Sequence, residues 1–467
     1  MTFAVPCPFR RGAARAPLAC AALLFALRGG GRAQAAGFSS ARFGGELGHP
    51  LASNPTALYY NPAGIGFSQR SQLFVDGVLA LRQGSWQHEL GPSERVDPPG
   101  AAGANTGTAS FRNVFGGPML GASTRLGDLA LGGAFFVPFG GRSHWDKNTQ
   151  FAGNNMFPLA ADGVQRWHNI DGAITVAYLT AGAAYRLGPL AVGATANLIR
   201  SSVEQGQAKN ILGNGEPDSS REGRVDLSVA GWHGSFALGL LWEAVADRLW
   251  LGGSYQAQPG LGEMALSGSL VTRYDGSTSP FHVTFRQALP DVTRWGARWR
   301  VTPGVELRLF GDVTRWSVLQ TQCVSLQGKI CAVDPSGADA TAEGDTVQNV
   351  RRQWRDTWAV RAGLSLWPRR EIEITLGGGA EKAAPPATTL EPGLIDADNV
   401  QGAVGARIEL APTLFVVATT TLVHYFPRDN TGRSELPAAE LPTRRADGGG
   451  RYQLSLLLFQ ASVEKRF

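Results

Sequence analysis

Six tight breaks divide residues 71–467 into paired segments of strand length, and this punctuation leaves few folds open to the chain. The breaks fall at Gly127-Asp128, Gly188-Pro189, Ala246-Asp247, Thr302-Pro303, Pro368-Arg369 and Ala411-Pro412. Between successive breaks lie two apolar-rich segments joined by a longer polar loop, which gives fourteen segments in all. Short turns on one side, long loops on the other and an even strand number describe an all-β, antiparallel barrel of the transmembrane type.

A barrel wall shows one side-chain parity to lipid and the other to the lumen, so each segment must alternate at period two. In Thr357 to Trp367 the even positions are Trp358, Val360, Ala362, Leu364 and Leu366, whereas Arg361 and Ser365 are odd. Val305, Leu307, Leu309 and Val313 likewise oppose Glu306, Arg308, Asp312 and Thr314. So do Ile372, Ile374 and Leu376 against Glu371, Glu373 and Thr375, and Val400, Val404, Ala406, Ile408 and Leu410 against Gln401, Arg407 and Glu409. A soluble β-sandwich alternates too, and the two ends of the chain separate the alternatives.

At the front, Arg10, Arg11 and Arg15 precede the apolar stretch Ala16 to Leu27, and Ala33-Gln34-Ala35 offers a small-residue cleavage site. Residues 1–35 are therefore expected to be a secretory signal peptide. Its apolar run is too short to cross a bilayer as a helix. The segment holds five arginines and no acidic residue, so its removal leaves 38 basic against 38 acidic side chains. The basic balance belongs to the export signal, and no nucleic-acid partner is implied. Cys7 and Cys20 leave with it, and Cys323 and Cys331 remain in the long loop between the ninth and tenth segments. In an oxidising exterior this pair is expected to form a disulfide; two sulfurs are too few for a structural zinc site.

At the other end, residues 451–467 form a closing strand that terminates on Phe467, with Phe459, Ala461 and Val463 on the same parity. A terminal aromatic on an alternating strand resembles the signal read by the outer-membrane barrel assembly machinery. Trp242, Trp250, Trp299 and Trp367 lie within a few residues of the short turns, as an interfacial girdle requires, and Trp316, Trp354 and Trp358 are placed to form the opposite belt. Between signal and barrel, residues 36–70 are rich in Gly, Ala and Ser and contain two Asn-Pro pairs, Asn54-Pro55 and Asn61-Pro62. Asn can cap a short helix and Pro can occupy its first position at no hydrogen-bond cost. A compact hatch of short helices plugging the lumen is the local expectation.

Phe38 and the run Ala57-Leu58-Tyr59-Tyr60-Asn61-Pro62-Ala63-Gly64 resemble the amino-terminal hatch of FadL-type outer-membrane transporters, the family of long-chain fatty acid and toluene channels. The resemblance continues in Gly132-Gly133-Ala134-Phe135-Phe136-Val137-Pro138-Phe139-Gly140, in Leu289-Pro290-Asp291, and in Asp312-Val313-Thr314-Arg315-Trp316-Ser317. It implies a fourteen-stranded barrel in the outer membrane of a Gram-negative bacterium. It further implies passive uptake of hydrophobic small molecules, fatty acids or aromatic hydrocarbons, by lateral diffusion through a gap in the wall. Such an exit keeps the cargo out of water and bypasses the polar lipopolysaccharide layer. The hatch residues Phe38, Asn61, Pro62, Ala63 and Gly64 would lie on the ligand pathway.

The third strand, Asp128 to Phe139, carries what that mechanism needs: Pro138 cannot donate to a ladder, and Gly140-Gly141 weakens pairing beyond it. Val137, Pro138, Phe139 and Gly140 are the expected border of a lateral opening; the competing reading is that Pro138 simply ends the strand. No Gly-x-Ser-x-Gly, Walker-type or His-Glu-x-x-His motif occurs and the seven histidines are scattered, so neither an enzyme nor a cofactor is expected. Two other functions use the same barrel: a hydrophilic-solute porin, which wants an open charged constriction, and a surface receptor or adhesin using the long loops. A plugged single barrel needs no partner to close its edges, so a monomer is expected.

Overall fold

The computed structural model describes residues 42–90, 97–341 and 344–467. Residues 1–35 and Phe38 lie outside the described residues. Fourteen antiparallel strands close into a barrel. In order they are Gln72–His88, Gly107–Leu126, Leu129–His144, Asp171–Leu187, Leu190–Asn210, Glu222–Val245 and Leu249–Gln256, then Val292–Thr302, Val305–Thr314, Thr357–Arg369, Ile372–Glu381, Asn399–Ala411, Leu414–Tyr425 and Arg451–Arg466. Closure is made by the first strand against the last, in register from Gln72↔Arg466 to Gln87↔Arg451, and the Phe467 amide donates to the Ser71 carbonyl at 2.9 Å. No backbone edge is left along that seam.

Alternation places the side chains as the pattern requires. On the ninth strand Leu307, Leu309 and Val313 are 42–48% exposed on the outside, while Glu306 and Arg308 are buried in the lumen. Phe459, Val463 and Phe467 face outward on the last strand in the same way. No helix among the described residues is long and apolar enough to cross a membrane, a statement that does not touch strands. Three of the short turns, Pro303-Gly304, Arg370-Glu371 and Pro412-Thr413, fall one or two residues later than the sequence suggests. In each case a register shift beside the turn, at Arg300/Thr302, Leu366/Arg369 and Glu409/Ala411, adds residues to the strand.

The tryptophans split differently from the expected two belts. Trp242 and Trp299 do face outward near the short turns. Trp250, however, is buried in the lumen beneath the Arg298 guanidinium, 4.1 Å from its ring centroid. Of the second group only Trp358 points out; Trp316 and Trp354 pack edge to face inside, with centroids 4.8 Å apart. Strand parity accounts for Trp250 and Trp358, which fall on opposite faces of their strands, whereas Trp316, in a 3-10 turn, and Trp354 lie outside the strands altogether.

Above the long-loop rim the sheet continues. The seventh strand stops at Gln256, and Pro259 with Gly260 at φ 75° redirects the chain. A hairpin, Glu263–Tyr274 and Ser277–Ala288, then pairs with the upper half of the sixth strand. Thr321–Leu326 and Thr346–Arg351 extend that sheet further, and Cys323 and Cys331 stand there with Cα atoms 6.3 Å apart, within disulfide reach.

Candidate functional site

The lumen is blocked by residues 42–71. Gly45–Leu47 and Pro62–Phe67 are 3-10 turns and Ala57–Tyr60 is a single α turn, all shorter than isolated helices can sustain. Their order comes from the wall. Asn61, fully buried, caps the second 3-10 turn by accepting from the Ala63 amide at 3.2 Å, with Pro62 in the first position. Its Nδ2 donates to the Pro50 carbonyl at 2.9 Å and to the Leu240 carbonyl of the sixth strand at 3.0 Å. One side chain thus caps the turn, staples the hatch to itself and fastens it to the barrel. Ser254 Oγ donates to the Tyr60 carbonyl at 2.5 Å, and Arg294 sits 4.5 Å from the Tyr59 ring centroid.

The hatch fits because the wall is hollowed at glycines. A Cβ on Gly239 would overlap Asn61 Oδ1 and come within 2.9 Å of Pro62 Cδ, and one on Gly193 would lie 2.5 Å from the Ala63 amide nitrogen. Gly64 is similarly tight against the Ala52 carbonyl. Backbone approach of this kind is open only to glycine.

Over the hatch lies a cavity enclosing about 1270 Å³, part of it open to solvent. Arg42 of the hatch forms part of its floor; Trp316, Trp354, Tyr425, Leu456 and Leu458 supply apolar walls. Gly140, Gly141, Arg142 and Ser143 of the third strand also line it. Aromatic contacts run from this cavity toward the hatch. Phe139 meets Trp316 at 6.3 Å, and Phe136 packs on Tyr59 at 5.2 Å and on Phe43 at 5.6 Å.

The wall beside this aromatic run is irregular. Pairing between the second and third strands runs from Leu126↔Leu129 to Leu120↔Phe135 and no further. The two come together again only near the rim, where the Asp146 amide donates to the Ser110 carbonyl at 2.9 Å and the His144 amide to Asn113 Oδ1 at 3.2 Å. The third strand does not end at Pro138. It continues to His144, stays paired with the fourth strand, and absorbs Val137 and Pro138 in a register shift between Phe136 and Phe139. The opposite border is Gly116-Gly117-Pro118 on the second strand, a proline-glycine element that the same strand rules flag but that the sequence reading passed over. Asn61, Pro62 and Ala63 lie against the fifth and sixth strands, and Gly64 against Ala52 within the hatch, rather than beside this break; Phe43, Tyr59 and Phe136 are what connect hatch and third strand. The Cys323–Cys331 pair is remote from it, in the upper sheet.

Charge is sorted along the barrel. Toward the short-turn end the lumen is packed with ion pairs. Glu306 lies 3.5–3.9 Å from Arg298, Arg300 and Arg308; Glu464 lies 3.1 Å from Arg407 and 2.6 Å from Arg466; and Glu373 is 3.8 Å from Arg407. In the upper cavity Arg42 meets Glu381 at 3.8 Å and Lys382 meets Asp398 at 2.5 Å. Arg82 is different. It is buried and rests 4.9 Å from the Phe111 ring centroid; among the described residues it donates only to the Ile395 carbonyl, at 3.3 Å, and its Nε has no partner. Asp396, in the loop above, also lines the cavity, and burial pushes its carboxyl up to about 6 despite backbone donors from Ala384 and Ala397. No group of side chains suited to a metal ion occurs among the described residues.

No protein-family model matches the chain, and no curated protein matches it by sequence. Solved structures do match it by fold. A Pseudomonas aeruginosa FadL homologue superposes with a TM-score of 0.71 at 19% identity, covering 93% of this chain and 98% of that one. The Pseudomonas putida toluene transporter TodX gives 0.62 at 14% identity over 93% and 99%, and the Ralstonia pickettii toluene transporter TbuX gives 0.58 at 15% over 92% and 98%. The architecture is that of the FadL-type barrel, hatch included.

Proposed function

With that architecture as premise, we propose that the protein is an outer-membrane channel for passive uptake of hydrophobic small molecules, releasing them sideways through its wall. The observation that carries this reading is the interrupted ladder between Leu120/Phe135 and Asn113/His144, set beside a cavity whose floor is sealed. A molecule entering from the long-loop end, the outer side, meets the hatch below it and a ring of ion-paired Arg and Glu beneath that. Each methylene carried through such a polar lumen forfeits about 0.8 kcal/mol relative to an apolar site. The route past Val137, Pro138, Phe139 and Gly140 on one border and Gly116, Gly117 and Pro118 on the other leads to lipid instead, and it bypasses lipopolysaccharide. Hatch residues Asn61, Pro62, Ala63 and Gly64 close the lumen below the cavity, on the side of the fifth and sixth strands.

The favoured cargo is an amphiphilic acid such as a long-chain fatty acid. Arg82 is a desolvated cation without a carboxylate at salt-bridge distance among the described residues, and Arg142 beside the interrupted ladder likewise forms no ion pair there. A charge in that position is costly unless a ligand supplies the counter-charge. The chain is read as a monomer of the Gram-negative outer membrane, exported by residues 1–35 and inserted by the barrel assembly machinery. Photolabelling with a diazirine-bearing fatty acid tests the route. Adducts on residues 116–118 and 136–142 are expected; labelling confined to the short-turn lumen, together with large stable single-channel conductance, would point to a hydrophilic porin instead.

A further inference from the structure

A single carboxylate ties together four of the long loops above the cavity. Glu391, 1% exposed, accepts from His168 Nδ1 at 2.8 Å and from Arg352 at 2.7 Å, and lies 3.2 Å from Arg445. These partners stand in the loops that follow the third, ninth and thirteenth strands, and Glu391 itself in the loop that follows the eleventh. His168 Nε2 faces the Asp447 carbonyl at 3.1 Å. The ring thus bridges the carboxylate of one loop and the backbone of another. Burial alone would push the Glu391 carboxyl up, but Arg445, Arg352 and His168 outweigh it and hold the group well below its usual range, so it is ionised here. Two buried guanidinium groups and a buried imidazole share one anion, and each of the four side chains is 6% exposed or less.

The loop that carries Glu391 is also the ceiling of the cavity. Gly393, Leu394, Ile395 and Asp396 face into it just beyond the carboxylate, and Lys382 does so at the loop's start. Elsewhere the loop is held by backbone bonds from the Arg355, Glu435 and Phe426 amides to the Ala384, Thr388 and Asp398 carbonyls at 2.9–3.0 Å, and by single side-chain donors to its carbonyls: Arg428 to Pro385 and Asp396, Asn430 to Ala387 and Leu390, and Arg82 to Ile395. We propose that residues 382–398 form a strap across the long-loop mouth of the cavity and that the buried charge cluster at Glu391 is its latch, so that breaking this one cluster loosens the ceiling while the barrel stays intact. The inference rests on the cavity being the cargo site only for its consequence, control of cargo exchange; the strap itself stands on the loop contacts. Removing the anion leaves Arg352 and Arg445 as uncompensated like charges in a dry site and His168 without its partner, which drives the four loops apart. A strap that governs access changes entry and exit rates together and leaves the equilibrium between bound and free cargo where it was.

The test is amide hydrogen exchange on the purified full chain in detergent, comparing the native protein with Glu391→Gln. Exchange across residues 382–398 should rise at least tenfold while the fourteen strands keep their protection; unchanged exchange in those residues overturns the proposal. Should Glu391→Gln lose protection throughout the barrel, Arg445→Gln, which keeps the anion with Arg352 and His168, is measured instead. The same local rise is expected there, and its absence overturns the proposal equally. Stopped-flow binding of dansyl-undecanoate then reads the consequence: association and dissociation rates should increase in parallel with Kd unchanged. A native protein that binds no dansyl-undecanoate would refute the cargo reading, while the exchange data would still decide the strap.

Discussion

Gly239→Ala is the sharpest test of how the hatch is seated. Gly239 belongs to the sixth strand, and its missing side chain is where Asn61 Oδ1 and Pro62 Cδ come to rest. An added methyl leaves the strand no retreat, since its ladder with the fifth and seventh strands is continuous at that position. The hatch must therefore yield. Moving Asn61 breaks its cap on the Ala63 amide at 3.2 Å and its donations to the Pro50 and Leu240 carbonyls at 2.9 and 3.0 Å. At about 1 kcal/mol net for each hydrogen bond, the seated hatch loses ~3 kcal/mol, or roughly a hundredfold in its equilibrium with an unseated one. Limited proteolysis and hydrogen exchange in detergent read this directly. Amides of residues 57–67 should lose protection by about two orders of magnitude, with the barrel's heat-modifiable migration unchanged. Native-like protection of that segment would refute the idea that the glycine hollow holds the hatch.

Arg82→Met should weaken binding of an anionic amphiphile by roughly ten- to a hundredfold, the range of a charge-assisted hydrogen bond. A neutral hydrocarbon of equal length should bind as before, and isothermal titration of both ligands checks the difference. For pH, the sign follows from Asp396, whose carboxyl titrates at about 6. It is an anion at pH 7 and neutral at pH 5, so a permanently charged alkyl sulfonate should bind more tightly at pH 5, and Asp396→Asn should abolish the dependence. Cys323 and Cys331 should resist alkylation until reduced. Opening that short loop should cost about 2–3 kcal/mol of local stability, read as faster exchange in Thr321–Leu326 only.

Much of the barrel was legible because its physics is local. Period-two alternation and tight turns place the twelve strand boundaries at the six short turns within a residue or two, and closure of Gln72–His88 on Arg451–Arg466 follows from an even count. What escaped depends on contacts between distant residues. The hairpin at 263–288 alternates like a wall strand, and its Asp275-Gly276 turn, with both φ values positive, is an ordinary hairpin signal; nothing local says that it pairs above the rim rather than within it. Pro138 drew attention to the third strand, yet Pro118 on the facing strand was equally visible and became meaningful only when the register showed the two opposite a lapse in pairing. Arg82 could not be singled out among many inward arginines, because its isolation is a property of what surrounds it. Glu391 gave no signal at all, since its three partners lie 39 to 223 residues away.

Whether cargo leaves through the wall is decided by restoring the missing ladder. Valine at both borders, Pro118→Val with Pro138→Val, returns two backbone donors and two β-formers to the facing strands and lets pairing propagate past Leu120 and Phe135. Uptake of a radiolabelled fatty acid into cells or liposomes carrying equal amounts of folded barrel is the measurement. At least a tenfold fall in initial rate, with binding to the cavity retained, is the expected result. Undiminished uptake through a wall shown by hydrogen exchange to be fully paired would contradict lateral release.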